Sequence, residues 1–133
     1  MKLRVLSALV TVVIAIGAAV PVSLAAAGPT GRELVLDNDR DLAEAQVEFG
    51  IRVAQNKLWR EATYRFEKAV EIDPTYAAAW NNLAIAYEEQ GNFRDADKAY
   101  ERAVKLEPGN VLIRQNYDLF KEIYDRIQAR NRR

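Results

Sequence analysis

The chain reads as an all-α protein: a short solenoid of two helix-turn-helix repeats closed by a C-terminal capping helix. Three observations predict this. Ala62, Phe66, Ala69 and Pro74 return 34 residues later as Ala96, Tyr100, Ala103 and Pro108. Within a repeat, Trp80, Leu83, Ala84 and Tyr87 stand at i, i+3, i+4 and i+7, which is one face of a helix. Turn formers separate the periodic stretches, as in Gly91-Asn92 and Pro108-Gly109.

Taken in order, the chain opens with a segment that does not belong to this pattern. Lys2 and Arg4 precede 27 residues without a charge, Val5 to Gly31. The apolar stretch Val5–Val20 is followed by Pro21 and by Ala25-Ala26-Ala27. Basic start, apolar run and small-residue site are the parts of a secretory signal peptide covering residues 1–27, with cleavage before Gly28. The rival is an uncleaved membrane anchor. A helix over Val5–Val20 would span roughly 24 Å at ~1.5 Å per residue, short of a ~30 Å hydrocarbon core. Residues 28–38 read as a linker containing Gly, Pro and Thr. Asp37, Asn38, Asp39 and Asp41 follow as candidate N-caps, and Asp41 with Glu44 has capping-box spacing, so the first helix is expected near 39–55.

The repeats occupy residues 43–76 and 77–110, with helices expected near 59–72, 76–90 and 93–106. Glu67-Lys68-Ala69-Val70-Glu71-Ile72-Asp73-Pro74 aligns with Glu101-Arg102-Ala103-Val104-Lys105-Leu106-Glu107-Pro108. Small residues (Gly50, Ala62, Ala69, then Ala84, Ala96, Ala103) let paired helices approach, and large ones fill the space around them. The last helix is expected over 111–129. Its stripe Ile113, Tyr117, Phe120, Tyr124, Ile127 packs on the preceding pair. Its other face, with Arg114, Asp118 and Lys121, is polar, as suits a solenoid end. Residues 130–133 form a basic tail.

This pattern resembles the tetratricopeptide repeat family, whose signature is W-x2-L-G-x2-Y, then A-x3-F, A and P. Residues 77–110 match it nearly in full, with Ala84 in place of the Gly. Residues 43–76 match the second half well; Gln46 replaces the Trp and Val53 the Tyr, as in a terminal repeat. The resemblance implies antiparallel helix pairs whose first helices line a concave groove that holds a peptide or a helix. Carried over by motif alignment, that groove exposes Glu44, Val47, Ile51, Ala54, Ala78, Asn81, Asn82, Ile85, Glu88, Leu112, Gln115, Leu119 and Glu122. The apolar floor is Val47, Ile51, Ile85, Leu112 and Leu119. The two asparagines are placed to meet a peptide backbone, and Glu44, Glu48, Glu88, Glu89 and Glu122 make an acidic rim. Family members that clamp an acidic C-terminus do so with groove Lys and Arg. Here Val47, Ile51, Leu112 and Asn116 stand at those places, which argues against that ligand.

Composition narrows the chemistry. The 133 residues hold no His and no Cys, and the only serines are Ser7 and Ser23. After cleavage there is no Ser, Cys or His nucleophile or base, and no ordinary zinc site. Glu44/Glu48 and Glu88-Glu89 are paired carboxylates, but at exposed helix positions with bases nearby. Glu61/Arg65, Glu101/Lys105 and Glu122/Arg126 read instead as i,i+4 ion pairs on solvated faces. No catalytic residue, metal or cofactor is expected. Lys+Arg and Asp+Glu number 19 each, so no basic excess suggests nucleic acid. Beyond the leader the net charge is −2, and residues 111–133 sum to +3. The expected function is an exported, periplasmic or secreted, non-enzymatic adaptor that binds a protein segment in its groove. The alternative is a structural subunit that self-associates or docks in an envelope complex. An enzyme accessory or lipid-binding role carries least weight. The partner is a protein or peptide, a homo-oligomer remains open, and membrane contact depends on retention of the N-terminal segment.

Overall fold

The computed structural model describes residues 31–132, with side chains from Asn38 onward. The signal peptide or anchor therefore lies outside the described residues. Within them are five helices: α1 (Gly31–Gln55), α2 (Trp59–Ile72), α3 (Ala77–Glu89), α4 (Phe93–Leu106) and α5 (Val111–Asn131). The described residues form an all-α solenoid with no strand.

Four helices fall where the spacing puts them to within two residues, with α5 running on through Arg130 and Asn131, which were expected in the tail. The first begins earlier. Residues 31–38, expected as linker, belong to α1, and Asp37 to Asp41 lie inside the helix instead of capping it. The physical reason is in the sequence: between Arg32 and Phe49 there is no Gly or Pro to stop a helix. Side-chain capping occurs at α5, where Asn110 Oδ1 accepts from the backbone N–H of Leu112 (3.1 Å) and Ile113 (3.2 Å).

Packing follows the repeat. The small positions are closed completely: Ala62, Ala69, Ala84, Ala96 and Ala103 have no exposed surface. Gly50 sits against Phe66 so closely that a Cβ there would lie 2.8 Å from ring Cδ1. Phe66 and Tyr100, equivalent in the two repeats, are 2% and 1% exposed. Each such burial contributes roughly 1.5–3 kcal/mol. Gln46, at the place of Trp80, leaves its Oε1 buried without a hydrogen-bond partner.

The two units are joined by polar as well as apolar contacts. Tyr87 OH donates to Glu67 Oε1 (2.7 Å), and Gln90 Nε2 donates to Thr63 Oγ1 (2.6 Å), both between α2 and α3. Arg40 Nε meets Asp73 Oδ2 at 2.6 Å, and its guanidinium lies 4.4 Å from the Tyr76 ring centroid, tying α1 to the α2–α3 turn. At the far end Tyr100, Tyr117, Phe120, Phe93 and Tyr124 form one aromatic cluster, with Tyr100 and Phe120 centroids 5.1 Å apart. Ile113 and Phe120 of the predicted α5 stripe are buried, and Tyr117 and Tyr124 pack beside them.

Consecutive helices touch, and so do α1 with α3 and α3 with α5, whereas α2 and α4 do not meet. The layer whose members touch is the inner one. The array therefore curves, with α1, α3 and α5 on its concave side.

Candidate binding groove

The concave layer carries the sequence-predicted site residues, but not all as expected. Val47 is a correction. It is 5% exposed and belongs to the core cluster with Ala79, Leu83 and Phe66, because the contact between α1 and α3 closes over it. It is not part of a groove floor. Ile51 and Ile85 are half-buried, their inner sides packed against the same core. Leu112 and Leu119 are 43% and 62% exposed and carry most of the open apolar surface. Glu44 and Gln115 are exposed, and Ala78 is half-buried.

The polar residues are organised among themselves. Asn116 Nδ2 donates to Asn81 Oδ1 at 3.1 Å, bridging α5 and α3 across the inner layer. Asn82 Nδ2 donates to the Ala78 carbonyl at 2.8 Å, one turn back on its own helix. Left for a ligand are the Asn81 amide N–H groups and, on Asn82, the carbonyl oxygen and one amide N–H. Glu88 is committed inward: its Oε2 accepts from Tyr100 OH at 2.9 Å. Burial raises the Glu88 carboxyl above the usual range; the Tyr100 hydrogen bond opposes this and the Glu89 charge adds to it. Burial and the neighbouring carboxylates push the Tyr87, Tyr100 and Tyr117 hydroxyls well above the ordinary tyrosine range. Glu88 is thus a strut between α3 and α4, and the acidic rim is smaller than its sequence suggested.

Asn116 was legible only as a mismatch to the acidic-ligand clamp; the spacing gave no sign of its bond to Asn81. Exposed apolar residues outside the aligned groove positions were also missed, among them Leu42 (48% exposed), Phe49 (39%) and Ile123 (47%). What could have found Phe49 is its place in the first repeat, where no earlier helix among the described residues covers it.

Among the described residues no three His, Cys, Asp or Glu side chains converge as a metal site requires. No helix among them is long and apolar enough to cross a membrane.

Two family models match the chain, described as tetratricopeptide repeat over residues 77–110 and TPR repeat over residues 52–91. The helix array is a tetratricopeptide repeat solenoid. The TPR domain of Arabidopsis OM64 superposes on it with a TM-score of 0.62 at 21% identity, covering 68% of this chain and 74% of that one. Among curated proteins, the chloroplastic TPR domain-containing protein PYG7 of Arabidopsis thaliana is 32% identical over 85 residues, 64% of this chain and 28% of PYG7. The type IV pilus assembly protein PilF of Pseudomonas aeruginosa is 30% identical over 102 residues, 71% of this chain and 40% of PilF. The chain thus spans well under half of these relatives. TPR arrays act generally as scaffolds for protein–protein interaction.

Proposed function

We propose that this TPR chain is an exported, non-enzymatic adaptor that holds a segment of a partner protein on its concave face. The observation that carries the reading is the pairing of open apolar surface with open hydrogen-bonding capacity on one layer. Leu112 and Leu119 stand exposed on α5, Ile51 and Ile85 half-exposed behind them, and Asn81 and Asn82 beside them on α3. Exposed apolar side chains flanked by amide groups suit a segment with apolar anchors and a backbone to bond. The residual acidic rim of Glu44, Glu48, Glu89 and Glu122 disfavours an acidic segment. Export rests on Lys2, Arg4, the uncharged run and Ala25–Ala27 ahead of Gly28. The relative that assembles pili is consistent with work in an envelope, and the absence of Ser, Cys and His beyond the leader supports a role without catalysis.

The test is a pull-down from envelope extract with the full chain, beside Leu112→Glu/Asn81→Arg in the groove and Arg102→Glu on the outer layer. The reading expects partners retained by Arg102→Glu and lost by the folded groove variant. Equal capture by all three would overturn it. N-terminal sequencing of the exported protein is expected to start at Gly28; retention of Met1 would make the segment an anchor.

A further inference from the structure

The first helix presents a face that the rest of the fold shows how to use. Ala45, Phe49 and Arg52 occupy the repeat positions of Ala79, Leu83 and Ala86. On α3 those three are 0%, 3% and 0% exposed, because α2 packs on that face. On α1 all three equivalents are exposed, and Leu42 continues the stripe at 48%. Arg65 and Arg52 lie over the Phe49 ring, 4.4 and 5.5 Å from its centroid, and the ring is still 39% exposed. The face is built to receive an antiparallel helix, as α3 receives α2.

The other end of the same molecule offers such a helix. On α5, Leu112, Leu119 and Ile123 share one face at 43%, 62% and 47% exposure, and exposed Arg126 and Arg130 continue it toward the C-terminus. The charges of the two ends are opposite. Helix α1 carries six acids against three bases, and residues 111–133 carry six bases against three acids. Their distribution fixes a direction. The acids Asp41, Glu44 and Glu48 lie ahead of or beside Phe49, while Arg126 and Arg130 lie beyond Ile123. An antiparallel pairing sets the acids at the start of this stretch of α1 beside the bases at the end of α5, and a parallel one does not.

We infer that α5 of one copy docks antiparallel on the Leu42–Ala45–Phe49 face of α1 of the next copy, taking the place that α2 takes on α3. The contact joins two different faces, so it is heterologous, and repetition builds an open chain instead of a closed dimer. Phe49 inserts between Leu119 and Ile123, and Arg126 and Arg130 meet Asp41 and Glu48. Leu119 belongs to both this surface and the groove, so a docked copy and a segment reaching the α5 end of the groove compete.

The chain contains no cysteine, which makes a cross-linking test clean. Full chains carrying Ala45→Cys and Ile123→Cys are mixed and oxidised, beside each alone and beside Ala45→Cys with Lys98→Cys on outer helix α4. The inference expects the mixed α1/α5 pair to form disulfide several-fold faster than the control pair or either variant alone, and more slowly as salt rises. Rates no higher than the control, or equal rates for one variant alone, would overturn it. In a second arm, Arg126→Glu/Arg130→Glu, all at exposed positions, should abolish the link, and Asp41→Arg/Glu48→Arg on the partner chain should restore it. A link untouched by the first change, or lost and not restored by the second, contradicts the proposed register.

Discussion

Lys57 and Gly91 hold the same place in successive repeats, and both carry positive φ, 60° and 77°. Each closes the turn between the two helices of its unit, where the chain must pass through the left-handed region. Glycine does this freely; lysine does it at a cost of roughly 1–2 kcal/mol. Replacing Lys57 by Gly removes that cost and adds roughly 0.5–1 kcal/mol of unfolded-state entropy. We expect Lys57→Gly to raise stability by roughly 0.5–1 kcal/mol, read as a higher urea midpoint at unchanged m. The converse, Gly91→Ala, should lower it, although nothing lies within 4 Å of the added Cβ.

At Gly50 the constraint is space. An added Cβ meets the Phe66 ring, which is 2% exposed and has no room to retreat. Gly50→Ala gains up to ~1 kcal/mol of helix propensity and loses roughly 1–3 kcal/mol to overpacking. A net loss is expected by thermal unfolding. Gly50→Ala/Phe66→Leu should be less destabilised than the sum of the two single changes, since the second change makes the space the first requires.

Asp73 should make part of the stability acid-sensitive. Burial by itself would raise its carboxyl. The hydrogen bonds from Thr75 N (2.9 Å) and Oγ1 (2.6 Å), with Arg40 alongside, outweigh burial and hold it below the usual range. A depressed acid stabilises the fold above its unfolded value, and the contribution is lost as pH falls through the folded value. Arg40→Ala should therefore cost about 1 kcal/mol at neutral pH. The difference from the parent protein should shrink below about pH 4.

Glu88 has the opposite sign. Its carboxyl is raised, so its contribution is full below the ordinary carboxylate range and falls as pH rises through the raised value. Glu88→Gln keeps an oxygen for Tyr100 OH and removes the buried charge. The variant should be the more stable at pH 7, with the advantage fading as both are acidified, in paired denaturant titrations.

Most of the fold was legible because the 34-residue period ties each helix to a counterpart. The limits of α2 and α4 follow directly from the spacing, and the buried stripe of α5 from Ile113, Phe120 and their neighbours. The start of α1 was not legible, since its aspartates read equally well as caps or as a solvated helical face. The site was legible as a layer more than as residues. Alignment put Val47 beside Asn81 and Ile51 beside Ile85, but it carries no information on how tightly α1 and α3 close. That closure buries Val47. Nor does alignment show that Glu88 turns inward, because its partner Tyr100 lies on the other helix of the pair.

The central claim is that this solenoid works through its inner layer. The most direct measurement places a photo-cross-linking side chain at Leu112 or Ile85, and at Arg102 on the outer layer as control, in cells producing the full chain. The account predicts a discrete adduct with another protein from the two inner positions and none from Arg102. Adducts from Arg102 alone, or none from the inner layer, would contradict it.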